Sequence, residues 1–62
     1  MCLSTVYENT EDAANVLMGN VTKIEVKDNL VVLTDLMERK LEIDGDLVFV
    51  DLIENKAIIR QH

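Results

Sequence analysis

The chain has 62 residues, 48% of them apolar, and its 12 carboxylates against six Lys and Arg give a formal charge of −6. A chain this short forms one small domain, residues 1–62, and buries only about 60% of its unfolded surface. That composition excludes a disordered tail, and with one Tyr, one Phe and no Trp it offers neither a base-stacking platform nor the clustered Lys and Arg that bind a phosphate backbone.

Residues 3–7 read as a first strand, because Thr5, Val6 and Tyr7 favour extended backbone. Residues 10–18 (TEDAANVLM) allow two readings. Thr10 as N-cap, with Glu11 and Asp12 near the positive end of the dipole and Gly19 as C-cap, would make a short helix. The alternative is a loop running into a strand over 15–18, and it is preferred, because isolated helices this short are marginal. Residues 22–27 (TKIEVK) alternate strictly, with Ile24 and Val26 on one face and charges on the other. A turn at 27–29 leads into 30–34 (LVVLT), which is apolar on both faces and therefore predicts a central strand paired with 22–27 as a hairpin. Residues 41–43 alternate again. Asp44-Gly45-Asp46 reads as a turn in which Gly45 takes a positive φ. Residues 47–53 are rich in β-branched and aromatic side chains and predict a further strand, which turns at 54–56 into a last strand over 57–59. Short apolar runs at close spacing, separated by polar turns, predict an all-β barrel or sandwich.

The apolar run at 30–33 is far shorter than the ~20 residues of a membrane helix, so no membrane partner is expected. The amino terminus has no basic segment followed by an apolar one, and a lone cysteine suits a reducing compartment; together these predict a cytoplasmic protein. The basic residues Lys23, Lys27, Arg39, Lys40, Lys56 and Arg60 are scattered, and the one adjacent pair is flanked by Glu38 and Glu42. Nucleic-acid binding is therefore not expected. No Ser/His/Asp or Cys/His set and no glycine-rich phosphate loop points to an enzyme.

The single cysteine, Cys2, has two readings. It is a small hydrophobe at the start of a strand, or it is a metal ligand. The position at the chain end adds weight to the second. If Met1 is removed, the amine and thiolate of Cys2 close a five-membered chelate ring; if Met1 stays, its amine joins the Cys2 amide nitrogen and thiolate. Two such sets facing each other make a planar N₂S₂ site, the geometry that suits Ni(II) or Cu(II). One cysteine cannot form an internal disulfide, and a core this small leaves apolar surface to cover, so a homodimer is expected, with Leu3 and the outward side of the first strand contributing. His62, at the chain end, reads as mobile and solvated. Met18 and Met37 read as core filler. Asp44-Gly45-Asp46 lacks the further ligand spacing of a calcium loop.

The opening MCLSTVY, the central VTKIEVKDNLVVLTDLMERKLEIDG and the close VDLIENKAIIRQH resemble the CooT family of small prokaryotic proteins, some of whose members are labelled predicted RNA-binding proteins. The resemblance spans almost the whole chain. It rests most on Met1-Cys2 before a strand, on 32–36 (VLTDL) and on the last hairpin around Asp51. It implies a small SH3-like or Sm-like barrel of five to seven short antiparallel strands. It further implies a homodimer that binds Ni(II) through the cysteine matching Cys2 and serves carbon monoxide dehydrogenase maturation. The alternative is an Sm-like RNA-binding or protein-interaction module in which Cys2 only packs.

Overall fold

A computed structural model describes residues 3–62. Five strands follow one another: β1 (Ser4–Glu8), β2 (Val16–Lys27), β3 (Leu30–Asp35), β4 (Lys40–Asp51) and β5 (Lys56–Gln61). Each neighbours the next, and β5 returns to β1, so the sheet closes into a barrel. The sequential pairs are antiparallel, whereas β1 and β5 pair in parallel. The parallel closure follows from the count. In an up-and-down order of five, the first and last strands point the same way. The expected all-β barrel is thus present with five strands, and its closing seam is the exception to an all-antiparallel arrangement.

Two strands are long because each serves both halves of the barrel. β2 pairs with β1 over 16–21 and with β3 over 21–27. The change of partner falls at a register shift between Val21 and Lys23. Thr22 fills it, its hydroxyl donating to the carbonyls of Thr34 (3.3 Å) and Asp35 (3.4 Å). β4 pairs with β3 over 40–44 and with β5 over 45–51. Its change of partner falls at Gly45. An alanine Cβ there would stand 2.4 Å from the Arg60 carbonyl oxygen. Gly45 therefore sits inside a strand with a negative φ, which corrects the expectation of a turn at 44–46. Asp44 and Asp46 give the segment a turn's composition, yet they lie on one face of the strand while the glycine lets two backbones meet.

The segment before β2 combines both readings of 10–18. A single 3₁₀ turn covers Ala13–Asn15, and β2 starts directly after it. Its cap is Asp12 in place of the expected Thr10: the Asp12 carboxylate accepts from the Ala14 amide at 2.9 Å. Gly19, expected as a possible helix cap, is a strand residue of β2.

The core is Val6, Val21, Val31, Leu33, Ile43, Ala57 and Ile59, with Leu17, Met18, Ile24, Leu41 and Leu47 packed around it. Fully burying a Val, Leu or Ile side chain stabilises by about 1.5–3 kcal/mol, so these few residues carry most of the fold. β3 is the central strand that its two apolar faces predict: Val31 and Leu33 face the core, while Val32 and Thr34 are covered on the other side, between Lys23 and Glu25 of β2 and Lys40 and Glu42 of β4.

Candidate metal site at the start of the first strand

Cys2 and Met1, the donors singled out from the sequence, lie outside the described residues. The structure does describe the frame onto which they are joined. β1 starts at Ser4, which pairs with Val21, which in turn pairs with Asp35. On the other side Thr5 pairs with Lys56, and Lys56 with Asp51. The Thr5 amide donates to the Asn55 carbonyl at 2.9 Å. The start of the strand is therefore held from both sides. Next to it, Ser4, Val21, Thr22, Lys23 and Ile24 line a shallow groove of about 220 Å³.

Two turns flank this row. The first follows β3. Asp35 is 4% exposed, and its carboxylate accepts from the amides of Met37 and Arg39 (2.9 Å each) and from the Arg39 Nε (2.8 Å). The Arg39 amide first, aided by the Arg39 side chain, holds the Asp35 carboxyl below the usual carboxylate range against the opposing effect of burial. The turn fixes Met37 with its side chain 73% exposed. That corrects the reading of Met37 as core filler, whereas Met18 does pack on the core. The second turn, 52–55, joins β4 to β5. The Asp51 carboxylate accepts from the amides of Ile53 and Glu54 at 3.0 Å, and these bonds, that of Glu54 first, lower its pKa. Leu52 and Ile53 at its tip are 82% and 89% exposed. The Thr5 amide binds Asn55 of this same turn, which thus carries two exposed aliphatic side chains and is tied to β1. Lys56 is paired with Glu11, and that hydrogen bond raises its pKa.

His62 is not part of this region. It follows the end of β5, six residues beyond Lys56, about 20 Å along the strand. It is also anchored, which corrects its reading as a mobile end. Its amide donates to the Asp44 carbonyl (3.0 Å), its Nε2 lies 3.0 Å from Asp46 Oδ2 and its Nδ1 3.4 Å from Asp44 Oδ1. The hydrogen bond to Asp46, then the charges of both aspartates, raise its pKa. Both ring nitrogens thus face carboxylates. Among the described residues, no group of three or more His, Cys, Asp or Glu is placed to hold a metal ion. Nor is any described helix long and apolar enough to cross a membrane.

The Asp35 turn and the His62 clasp were missed from the sequence. The signal for the first was an aspartate followed at two and four residues by its own donors. The second had no local signal, because it depends on the β4–β5 register.

Residues 1–60 match the family described as CO dehydrogenase accessory protein CooT. No curated protein matches the chain. The match covers nearly the full length and includes Met1 and Cys2, so the chain belongs to the CooT family of CO dehydrogenase accessory proteins.

Proposed function

We propose that this member of the CooT family is a cytoplasmic nickel chaperone for carbon monoxide dehydrogenase, in which two copies of the chain hold one Ni(II) through Cys2 and the amino-terminal nitrogen beside it. The observation that carries the reading is that the family match begins at residue 1 and so takes in the only cysteine of the chain. A CO dehydrogenase accessory role calls for a metal-handling group, and a thiolate is the soft donor best suited to it here.

The surroundings support this reading. The chain enters β1 at a point pinned by the Thr5–Asn55 bond, three residues along the chain from Cys2. The turn that binds Thr5 carries the exposed Leu52 and Ile53, and an apolar surround limits water at a metal and strengthens the remaining donors. Charge around the start of β1 is not a carboxylate cage: Lys56 is matched by Glu11 and Asp35 by Arg39. The Asp35 carboxylate, reached from Ser4 through Val21, is thus already committed, which favours nitrogen and sulfur as the donors.

One chain end offers too few donors for a square plane through thiolate and amine alone, whereas two ends related by a two-fold axis offer two sulfurs and two nitrogens. The thiolate form is required, so binding releases protons and weakens as pH falls. Binding by the two-copy form also stabilises that form by mass action. The test is a calorimetric titration of the parent and of Cys2→Ser with Ni(II), with absorption spectra recorded in parallel. The parent should show thiolate-to-nickel charge-transfer bands, and Cys2→Ser should lose both the bands and tight binding while keeping its β-sheet circular dichroism. Equal nickel affinity in the two proteins would refute the assignment.

A further inference from the structure

Half of the barrel is a four-stranded sheet made of 16–20 of β2, then β1, β5 and 45–51 of β4. Its inner face carries Val6, Ala57 and Ile59, each at most 1% exposed. Alternation therefore turns Tyr7 and Ile58 outward. Tyr7 is paired with Val16 and with Ile58, and Ile58 with Phe49. The result is one continuous outward row, Val16–Tyr7–Ile58–Phe49, across all four strands. None of the four belongs to the core cluster. Val16 and Phe49, at the two ends, are 44% and 45% exposed.

This row contains both aromatic residues of the chain. A small domain short of core material gains most by burying its large side chains, so placing its only Tyr and Phe outward needs another cover. Tyr and Phe are the types enriched where protein surfaces meet. We propose that this outward row is the surface through which two copies of the chain pair, sheet face on sheet face, with the two-fold axis running along the strands between β1 and β5. The inference rests on the two-copy reading above and names the surface that carries it.

The charges on either side of the row select this arrangement over its rivals. On one side lie Thr5, Lys56 and Asp51, on the other Arg60 and Asp46. An axis along the row would set Lys56 over the second copy's Arg60 and Asp51 over its Asp46, like charge on like. Edge-to-edge pairing of β4, centred on its apolar stretch 47–50, would set Asp46 beside the second copy's Asp51, again like on like. An axis along the strands avoids both. Ile58 then covers the second copy's Tyr7, Phe49 its Val16, and Lys56 its Thr5, while Asp51 falls over the uncharged Gly19 and Asn20. In this arrangement β1 lies beside the axis, offset from it along the sheet by about half of the ~4.8 Å strand spacing, with facing sheets ~10 Å apart. The two starts of β1 are thereby brought to the same side of the pair.

The test is sedimentation equilibrium over the micromolar range, without and with half an equivalent of Ni(II), on the parent and on Phe49→Asp. The parent should be a dimer in at least the nickel-loaded state, and Phe49→Asp should weaken association at least tenfold while keeping the parent's circular dichroism. A second measurement stands if Phe49→Asp misfolds. In a Cys2→Ser background, Val16→Cys together with Phe49→Cys should give a covalent dimer with a short bismaleimide that spans about 8 Å between sulfurs, because facing sheets lie ~10 Å apart, and either cysteine alone should not. Within one chain the two positions are three strand spacings apart, ~14 Å, too far for that linker. A folded Phe49→Asp protein that dimerises like the parent, or a double-cysteine protein that does not cross-link, would overturn the proposed face and leave the two-copy reading standing. A parent that stays at 7.0 kDa under every condition would refute the two-copy reading itself, and the proposed face with it.

Discussion

Replacing the buried Gly45 by alanine should be among the most damaging single changes to this barrel. The added Cβ would lie 2.4 Å from the Arg60 carbonyl oxygen and 3.0 Å from both the Arg60 carbonyl carbon and the Gln61 Cα. The closest of these is about 1 Å short of ordinary contact, and all three are backbone atoms, so no rotamer change relieves them. β4 must move off β5 at the point where the Gly45–Gln61 pair closes the ladder. Forcing surplus volume into packed structure costs ~1–3 kcal/mol, and a ladder hydrogen bond lost in the movement adds ~1 kcal/mol. In a domain of this size each kcal/mol lowers the melting temperature by ~4–8 °C, so a fall of ~10–20 °C is expected. Thermal unfolding followed by circular dichroism measures it. Gly19→Ala is the control: nothing lies within 4 Å of its Cβ position and its φ is not positive, so this variant should match the parent or gain up to ~1 kcal/mol. A Gly45→Ala protein melting within ~3 °C of the parent would show that the β4–β5 approach is not tight, and the reasoning would fail.

Three further outcomes are expected. Glu38 holds a φ of 63° in the turn after β3, a conformation that costs a residue with a Cβ ~1–2 kcal/mol; after the entropy cost of glycine, Glu38→Gly should raise urea stability by ~0.5 kcal/mol. His62, whose pKa is raised by Asp46 and Asp44, contributes stability that is full below its ordinary value of 6.5 and is lost as pH rises through the raised one. The stability gap between the parent and His62→Gln should therefore shrink steadily from pH 6 upward in urea titrations, and a gap that widens would contradict the clasp. Asp35, whose pKa is lowered, has the opposite sign: its contribution is full above 3.8 and is lost as pH falls through the lowered value. Asp35→Ala should be less stable than the parent at pH 7, with the difference closing in acid, as read by the midpoint of acid unfolding.

What the sequence made legible was whatever depends on side-chain periodicity. The two apolar faces of 30–34 placed β3 at the centre, and the strict alternation of 22–27 paired it with β2. Backbone bends were not legible. β2 and β4 each run for 12 residues and change partner midway, at the Thr22 bulge and at Gly45. Neither leaves a periodic trace, and the aspartates beside Gly45 mimic a turn. The outward placement of Tyr7 and Phe49 was hidden for a related reason. A register shift between Leu47 and Phe49 breaks the parity of β4, so the apolar run at 47–50 does not say which side faces in. At the candidate site, the sequence pointed to Cys2 and Met1 as candidate donors, and these lie outside the described residues. The structure adds the row of Asp35, Val21, Ser4 and Lys56 that frames the start of β1, a set assembled by register between distant residues.

Under the proposed function, Cys2 from two copies holds one metal ion. Native mass spectrometry of the full chain after incubation with Ni(II) tests it most directly, because it reports Met1 processing, copy number and metal count together. One Ni(II) per two chains is predicted for the parent, with none retained by Cys2→Ser under the same conditions. Nickel kept by Cys2→Ser at the parent's stoichiometry, or a parent that retains none at neutral pH, would contradict it.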